Sequence, residues 1–353
     1  MKILVVDEKF DKSKLIQKKV TVVRKNRTIF VRNQWVKKDY LTKDEKSEKL
    51  AKEKSELKSK IDSVVGKTKT SNYSDEEKNL RAVGSLISNE IANRLKFIEP
   101  VKHIDLKSMV DNYNKLFSQY KKGNIPYSVV KSAYEEYQKA RNLKNQIKRD
   151  YQEKVANQVK DILSQIRPIG ASKEQLDKQF GKSKSAVRPV MEKALSFYPT
   201  EWIQKSIDLG TLELTKSKNG NGRGFYKPSK KSNGKIDGTI MLEDIDSLDT
   251  GIHEFGHRLE DAVPSIRKLE KEFYERRTKG EQNEQLKKIT SGNYKSNEVT
   301  KKDDFISPYM GKDYKGHYYE LVSMGFELAF TNPKKLLKDK DMADWIFGIL
   351  ATK

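Results

Sequence analysis

The chain contains no cysteine and only four histidines in 353 residues. Without thiols there can be no disulfide and no thiolate metal site, so a transition-metal site would have to be built from imidazole and carboxylate. Long apolar runs are also missing: nothing approaches the roughly 20 consecutive apolar residues of a membrane span. The apolar run at the start, Ile3 to Val6, gives way at once to charges, so neither a signal peptide nor an anchor is expected. These absences predict a cytoplasmic chain with no membrane partner.

What is abundant is charge. Hydrophobic and charged residues each make up 35% of the chain, which predicts modest cores under much solvated helix surface, with room for two or three domains. The formal net charge is +22. Residues 1–70 hold 21 Lys and Arg against 10 Asp and Glu, half of that excess. A basic N-terminal end raises nucleic acid or an acidic surface as a partner, against the plainer reading of lysine-rich solvated faces.

Two of the four histidines fall in one short stretch, DTGIHEFGHRLED, which places His253, Glu254 and His257 in the pattern H-E-x-x-H. Residues four apart on a helix share a face, so both imidazoles can turn toward one ion. Glu254, beside the first ligand, can reach a water at the metal without ligating, which makes it the expected general base. Gly256 would let another element pack closely, and Phe255 should face the core. A catalytic zinc needs a third protein ligand. The H-x-x-G-x-x-H extension would need Gly and His where the chain has Glu260 and Val263, so that solution is excluded. A downstream carboxylate remains, and YYELVSMGFELA offers Glu320 and Glu327 seven residues apart on one face. Glu320 is preferred, because Ser323 and Gly325 just after it would permit a close helix crossing; Glu327 and His317 are the rivals.

HEFGH followed by Y-x-E-L-V-S-M-G-F-E resembles the metallopeptidase-type domain of phage and mobile-element minor head or morphogenesis proteins. It also resembles the wider gluzincin group, including anthrax lethal-factor-like domains. The resemblance covers roughly residues 181–353. It implies zinc on His253, His257 and Glu320, Glu254 as base, and an oxyanion-stabilising tyrosine shortly before the glutamate ligand, for which Tyr309, Tyr314 and Tyr318 qualify by position. Thermolysin-like members place an aspartate four residues after the glutamate to orient a histidine; here that position is Met324, so the orienting partner must come from elsewhere. A protein or peptide substrate is implied, with phage structural proteins as partners and a virion-associated location as an alternative to the cytoplasm.

Along the chain, residues 1–40 read as a β-hairpin docking module, with arms at 20–23 and 28–31, a polar turn at 25–27, and Phe30 and Trp35 as its small core. Residues 41–74 read as a charged helical linker, with Leu50 and Leu57 one heptad apart and a boundary at 64–74. Residues 75–180 read as a helical bundle or assembly region, with helices at 75–95, 106–121 and 128–167; the tyrosines of the last, Tyr134, Tyr137 and Tyr151, read as a packing seam. Residues 181–353 form the zincin-like domain. Two short helices flank Pro199, strands follow at 211–216, 224–226 and 239–242, and turn chemistry separates them. Thr239, Ile240, Met241 and Leu242 are expected to be the edge strand to which an extended substrate adds. A charged helix at 264–277, a mobile polar insertion at 279–304 placed to act as a lid, and an apolar C-terminal helix at 341–350 complete the domain. The expected class is α+β, mainly helical. The competing readings are a head morphogenesis protein with an inactive domain and an effector toxin whose basic N-terminal region contacts nucleic acid or a delivery partner.

Overall fold

The computed structural model describes residues 15–23, 29–37, 43–65, 74–98, 104–217, 224–245, 247–292 and 294–353. The expected turn at 25–27, most of the 64–74 boundary, His103 and the middle of the polar turn after the first sheet strand lie outside them. The chain divides into two units, Met1–Ser59 and Lys60–Lys353.

In the first unit, β1 (Leu15–Val23) and β2 (Ile29–Lys37) pair antiparallel, with Val23 opposite Ile29 and Leu15 opposite Lys37. Both arms are longer than expected, extending through Leu15 to Lys19 on one side and Arg32 to Lys37 on the other. Then comes α1 (Lys43–Val64), on which Leu50 stays exposed.

The second unit opens with α2 (Asp75–Leu95), whose Ser74 side chain accepts from the Glu77 N–H, and whose Leu80, Val83, Ile87, Ile91 and Leu95 form one buried stripe. Next come α3 (Leu106–Lys121) and α4 (Tyr127–Leu163), a helical hairpin turning through Gly123 at φ +74. Val155, Ala156, Val159, Ile162 and Leu163 bury the C-terminal part of α4, whereas α3 has no buried residue. Three short helices, α5 (Lys173–Phe180), α6 (Arg188–Leu195) and α7 (Thr200–Leu209), lead to β3 (Leu212–Lys216), β4 (Phe225–Lys230) and β5 (Ile236–Leu242). The metal-motif helix α8 (Leu248–Ala262) and the charged α9 (Pro264–Arg277) follow. Then come β6 (Glu284–Gln285), α10 (Leu286–Ile289), β7 (Val299–Thr300), α11 (Leu321–Thr331), α12 (Pro333–Leu336) and α13 (Lys340–Thr352). The class is α+β and mainly helical, as expected.

Three expectations need correction. The division expected at residue 180 is not there, because α2 packs along α13 inside the second unit. A Cβ on Gly84 would lie 1.7 Å from the Asp344 carbonyl oxygen, and one on Gly348 2.2 Å from that of Leu80. An apolar C-terminal helix such as α13 must be covered on several sides, and α2 supplies one of the covers. Second, residues 239–242 are not an edge. The sheet order is β3-β5-β4, so β5 pairs on both sides, parallel to β3 and antiparallel to β4. Burial of Ile240 and Leu242 fits a central strand, and β4 is the edge beside the cleft. Third, the polar insertion at 279–304 carries the β6–β7 pair and α10, anchored by buried Leu286 and by Thr300, whose hydroxyl donates to the Pro308 carbonyl at 2.6 Å.

Candidate metal centre

The back of α8 is fixed before its front becomes chemically useful. Ile252, Phe255 and Leu259 are fully buried. Phe255 meets Tyr198, which also packs on Trp202 and on Phe326 and Phe330 of α11. The Tyr198 hydroxyl donates to the Ile252 carbonyl at 2.7 Å, which ties this aromatic core to the helix one residue before the first histidine. Gly256 provides the expected close crossing: a Cβ there would sit 2.8 Å from Cα of Ser323. Gly325 serves a different contact, facing Ile346 of α13.

With α8 and α11 held this close, His253, His257 and Glu320 come together, each offering a ligand atom within 4.8 Å of the others. Glu320 Oε2 lies 3.2 Å from Nε2 of His253 and 3.3 Å from Nε2 of His257. Glu320 is the residue just before α11, so its carboxylate stands at the positive end of the helix dipole. Its first oxygen accepts from the Tyr314 hydroxyl at 2.5 Å. The next turn is fixed by the Val322 N–H, which donates to buried Glu270 of α9 at 2.7 Å.

The orienting partners missing at Met324 are found elsewhere. Nδ1 of His253 lies 3.2 Å from Glu327, and Nδ1 of His257 lies 2.6 Å from buried Glu260. Each carboxylate engages Nδ1 and so turns Nε2 toward Glu320, the arrangement that fixes tautomer and ring plane in metal-ligating histidines. Glu327, a rival for the third ligand, thus meets the far ring nitrogen of His253 instead of joining the His253, His257 and Glu320 group. The other rival, His317, is exposed and contributes its backbone carbonyl to Arg267. Glu260 stands three residues after His257 on one helix, a spacing that could have identified it in the sequence.

Electrostatics in the site are those of buried, opposed charges. Burial works against a charged His253, but the carboxylates of Glu320 and Glu327 outweigh it and raise its pKa to about 9. His257 is likewise raised, against burial, by Glu320 and Glu260. The two imidazoles overcome the burial of Glu320 and hold its carboxyl well below the usual range. Burial raises the Glu254 carboxyl, moderated by both histidines.

The group opens into a cleft of about 640 Å³. On one side are Gly224 and the first four residues of β4, Phe225 to Pro228. The Tyr226 backbone N–H faces the Glu254 carboxylate rather than the ladder. By the two-residue period of a strand, Pro228 faces outward as well, where its missing N–H costs no ladder bond. The opposite wall carries the tyrosines. Tyr318 lies under the Arg267 guanidinium at 5.0 Å, and the Tyr309 hydroxyl is 3.3 Å from that of Tyr314. Of the three candidates, Tyr314 alone reaches Glu320 among the described hydrogen bonds, while Tyr309 and Tyr318 line the wall.

No spacing or motif pointed to Arg258. It is fully buried and donates to the Ser206 hydroxyl, the carbonyls of Ser206, Gly210 and Ile236, and the Tyr226 hydroxyl, which itself donates to Asp261 at 2.9 Å. One side chain therefore joins the carboxyl end of α7, the start of β5 and the edge strand β4 to the metal helix.

No protein-family model, no curated protein and no solved structure matches the chain. Two imidazoles and one carboxylate, each imidazole with its own carboxylate partner and no thiolate, form a group positioned to bind a metal ion. Among the described residues, no helix is long and apolar enough to cross a membrane.

Proposed function

We propose that the chain is a zinc-dependent peptide hydrolase, with His253, His257 and Glu320 as the metal ligands. The observation that carries this reading is the placement of Glu254. Its carboxylate lines the cleft between the ligand histidines and the edge strand β4, and takes no part in the His–Glu320 contacts. The donor set fits zinc, which in such sites acidifies water at neutral pH and polarises a carbonyl. Glu254 takes the proton of the attacking water and delivers it to the leaving amine nitrogen. Tyr314, already a donor beside the site, stabilises the charge that develops on the scissile carbonyl oxygen. An extended peptide pairs with the outward edge of β4, which brings its backbone past Glu254. On the resemblance of HEFGH and YYELVSMGFE alone, the reading extends to a phage or mobile-element head-associated protein, cytoplasmic or virion-associated. An inert scaffold would have little reason to bury Glu254, Glu260 and Glu320 around two imidazoles, since buried charge is costly unless paired for a purpose.

Elemental analysis tests the reading first. About one zinc per chain is expected, absent from the His253→Ala/His257→Ala variant and weakened in Glu320→Ala. Glu327→Gln and Glu260→Gln should each lower affinity by about 10- to 100-fold while leaving the ligands in place. A wild-type chain that takes up no zinc after reconstitution would remove the enzymatic reading.

Loading should also move protons. With both histidine pKa values raised by their carboxylate partners, the metal-free chain is expected to carry protons on these imidazoles at pH 7, and a metal can bind only after displacing them. Calorimetry in buffers of different ionisation enthalpy should show more than one proton released per zinc at pH 7. The release should fall as the pH rises through about 9, above which His253 is already neutral. Release near zero at pH 7 would contradict the carboxylate-bound imidazolium pair.

A further inference from the structure

We infer that the free end of the α3–α4 hairpin, residues 112–134, is a binding surface for single-stranded nucleic acid. α3 has no buried residue and packs on α4, so the hairpin stands out from the core as an arm. Along it runs a continuous row of rings, Tyr137, Tyr134, Tyr113, Phe117, Tyr120 and Tyr127, with successive centroids 6.4, 5.6, 6.0, 6.4 and 5.5 Å apart. Packing accounts for part of each ring only: Phe117, Tyr120, Tyr134 and Tyr127 remain 38%, 37%, 47% and 57% exposed. A two-helix hairpin has no need of so many half-exposed aromatics for its own stability.

Charge decides the occupant. Between Asn112 and Tyr134 there are four lysines, Lys115, Lys121, Lys122 and Lys131, and no acidic residue. Lys121 lies 5.4 Å from the Phe117 ring centroid, and Lys131 meets Glu135, one turn further along α4, at 3.9 Å. A second copy of the chain docked here would set lysine against lysine. A membrane-seeking helix face would carry Leu, Ile or Trp at depth, whereas five of these six rings are tyrosines with a polar tip. Interleaved rings and lysines instead match the two demands of an unpaired strand, whose bases need flat surfaces and whose phosphates need cations. Duplex bases are stacked away from such rings. Further along α4, Lys148 pairs with Asp249 at the start of the metal helix at 3.0 Å. At 1.5 Å per residue the arm's end is roughly 30 Å along α4 from that contact, so a bound strand would leave the cleft open.

The test uses the full chain and fluorescein-labelled oligothymidylate, followed by anisotropy across a salt series. Binding is expected to weaken steadily with salt. Tyr120→Ala/Tyr127→Ala should lower affinity by about tenfold or more, with helicity by circular dichroism unchanged because both rings are exposed. Replacing Lys115, Lys121 and Lys122 by Gln should reduce the slope of log affinity against log salt by about 2. A charge-matched control, Lys46→Gln, Lys49→Gln and Lys52→Gln in α1, should leave affinity and slope unchanged. The inference is overturned by an absence of oligonucleotide binding, or by equal weakening in the control, which would mean diffuse attraction to a basic chain. It is overturned equally if the tyrosine pair alters only sedimentation, which would assign the surface to a second copy. Binding only to vesicles containing phosphatidylserine would assign it to anionic lipid and also end the proposal.

Discussion

Glu254→Gln is expected to lower peptide hydrolysis by about 10²- to 10⁴-fold while zinc content stays that of the wild type. Glutamine keeps the size of the side chain and an oxygen to face the Tyr226 N–H, but it cannot take a proton from water at working pH. The ligand atoms of His253, His257 and Glu320 are untouched, so the loss should fall on turnover rather than on metal binding. The wild type should also lose activity as the pH falls through the Glu254 pKa, which burial raises above its ordinary value, because the base works only when ionised. Rates on a mixture of quenched peptides, with zinc measured on the same samples, check both points. Equal rates for the two proteins would mean that the hydrolysis comes from elsewhere.

Arg258→Met should destabilise the second unit by about 3–5 kcal/mol, the range for leaving buried polar partners stranded. Methionine fills much of the volume but donates nothing. In a dry interior the Ser206 carbonyl would keep only the Gly210 N–H, the Gly210 carbonyl only the Gln179 amide, and the Ile236 carbonyl at the start of β5 and the Ser206 hydroxyl would lose the guanidinium donor. Arginine is suited to the position because its fork reaches several acceptors at once and its charge faces the negative end of a helix. A midpoint lower by on the order of 10 °C in thermal denaturation is expected for a unit of this size. Because Tyr226 is released as well, zinc-loaded activity should fall further than stability alone explains. A midpoint unchanged from the wild type would show that the buried guanidinium is not what joins strand and helix.

Much of the site was legible because its chemistry follows helical spacing. His253 and His257 are four apart, Phe255 points the opposite way, and Gly256 reads as a point of close approach; the structure bears out each of these. The helices at 75–95, 106–121 and 264–277 were legible to the residue, since each is bounded by a capping serine, an aspartate or a proline and carries an unbroken 3.6-residue stripe. Strand order was not legible. Alternation of apolar residues marks a strand as half-buried but says nothing about which neighbour lies on either side, so β5 passed for an edge when it is the centre of three.

Long-range partners were lost for a related reason. Ser74 and the stripe from Leu80 to Leu95 announce α2 locally, but its complement on α13 lies more than 250 residues away, and only the glycines Gly84 and Gly348 hint at the crossing. Glu327 could be placed on the correct face but not assigned a task, because distance to the metal separates a ligand from a residue that orients one. The polar stretch at 279–304 read as a mobile insertion since two-residue strands and a single-turn helix carry no periodicity to detect.

The ligands are drawn from two segments of chain, α8 and the residue before α11, with β6, α10 and β7 lying between them in sequence. A bound ion would therefore close a long loop by a removable cross-link, restricting the unfolded chain much as a disulfide does. In a protein without cysteine, that cross-link would answer to metal supply rather than to redox state. Chelation would then do more than silence a reaction: it would untie the segment that carries the tyrosine wall from the helix that carries the base.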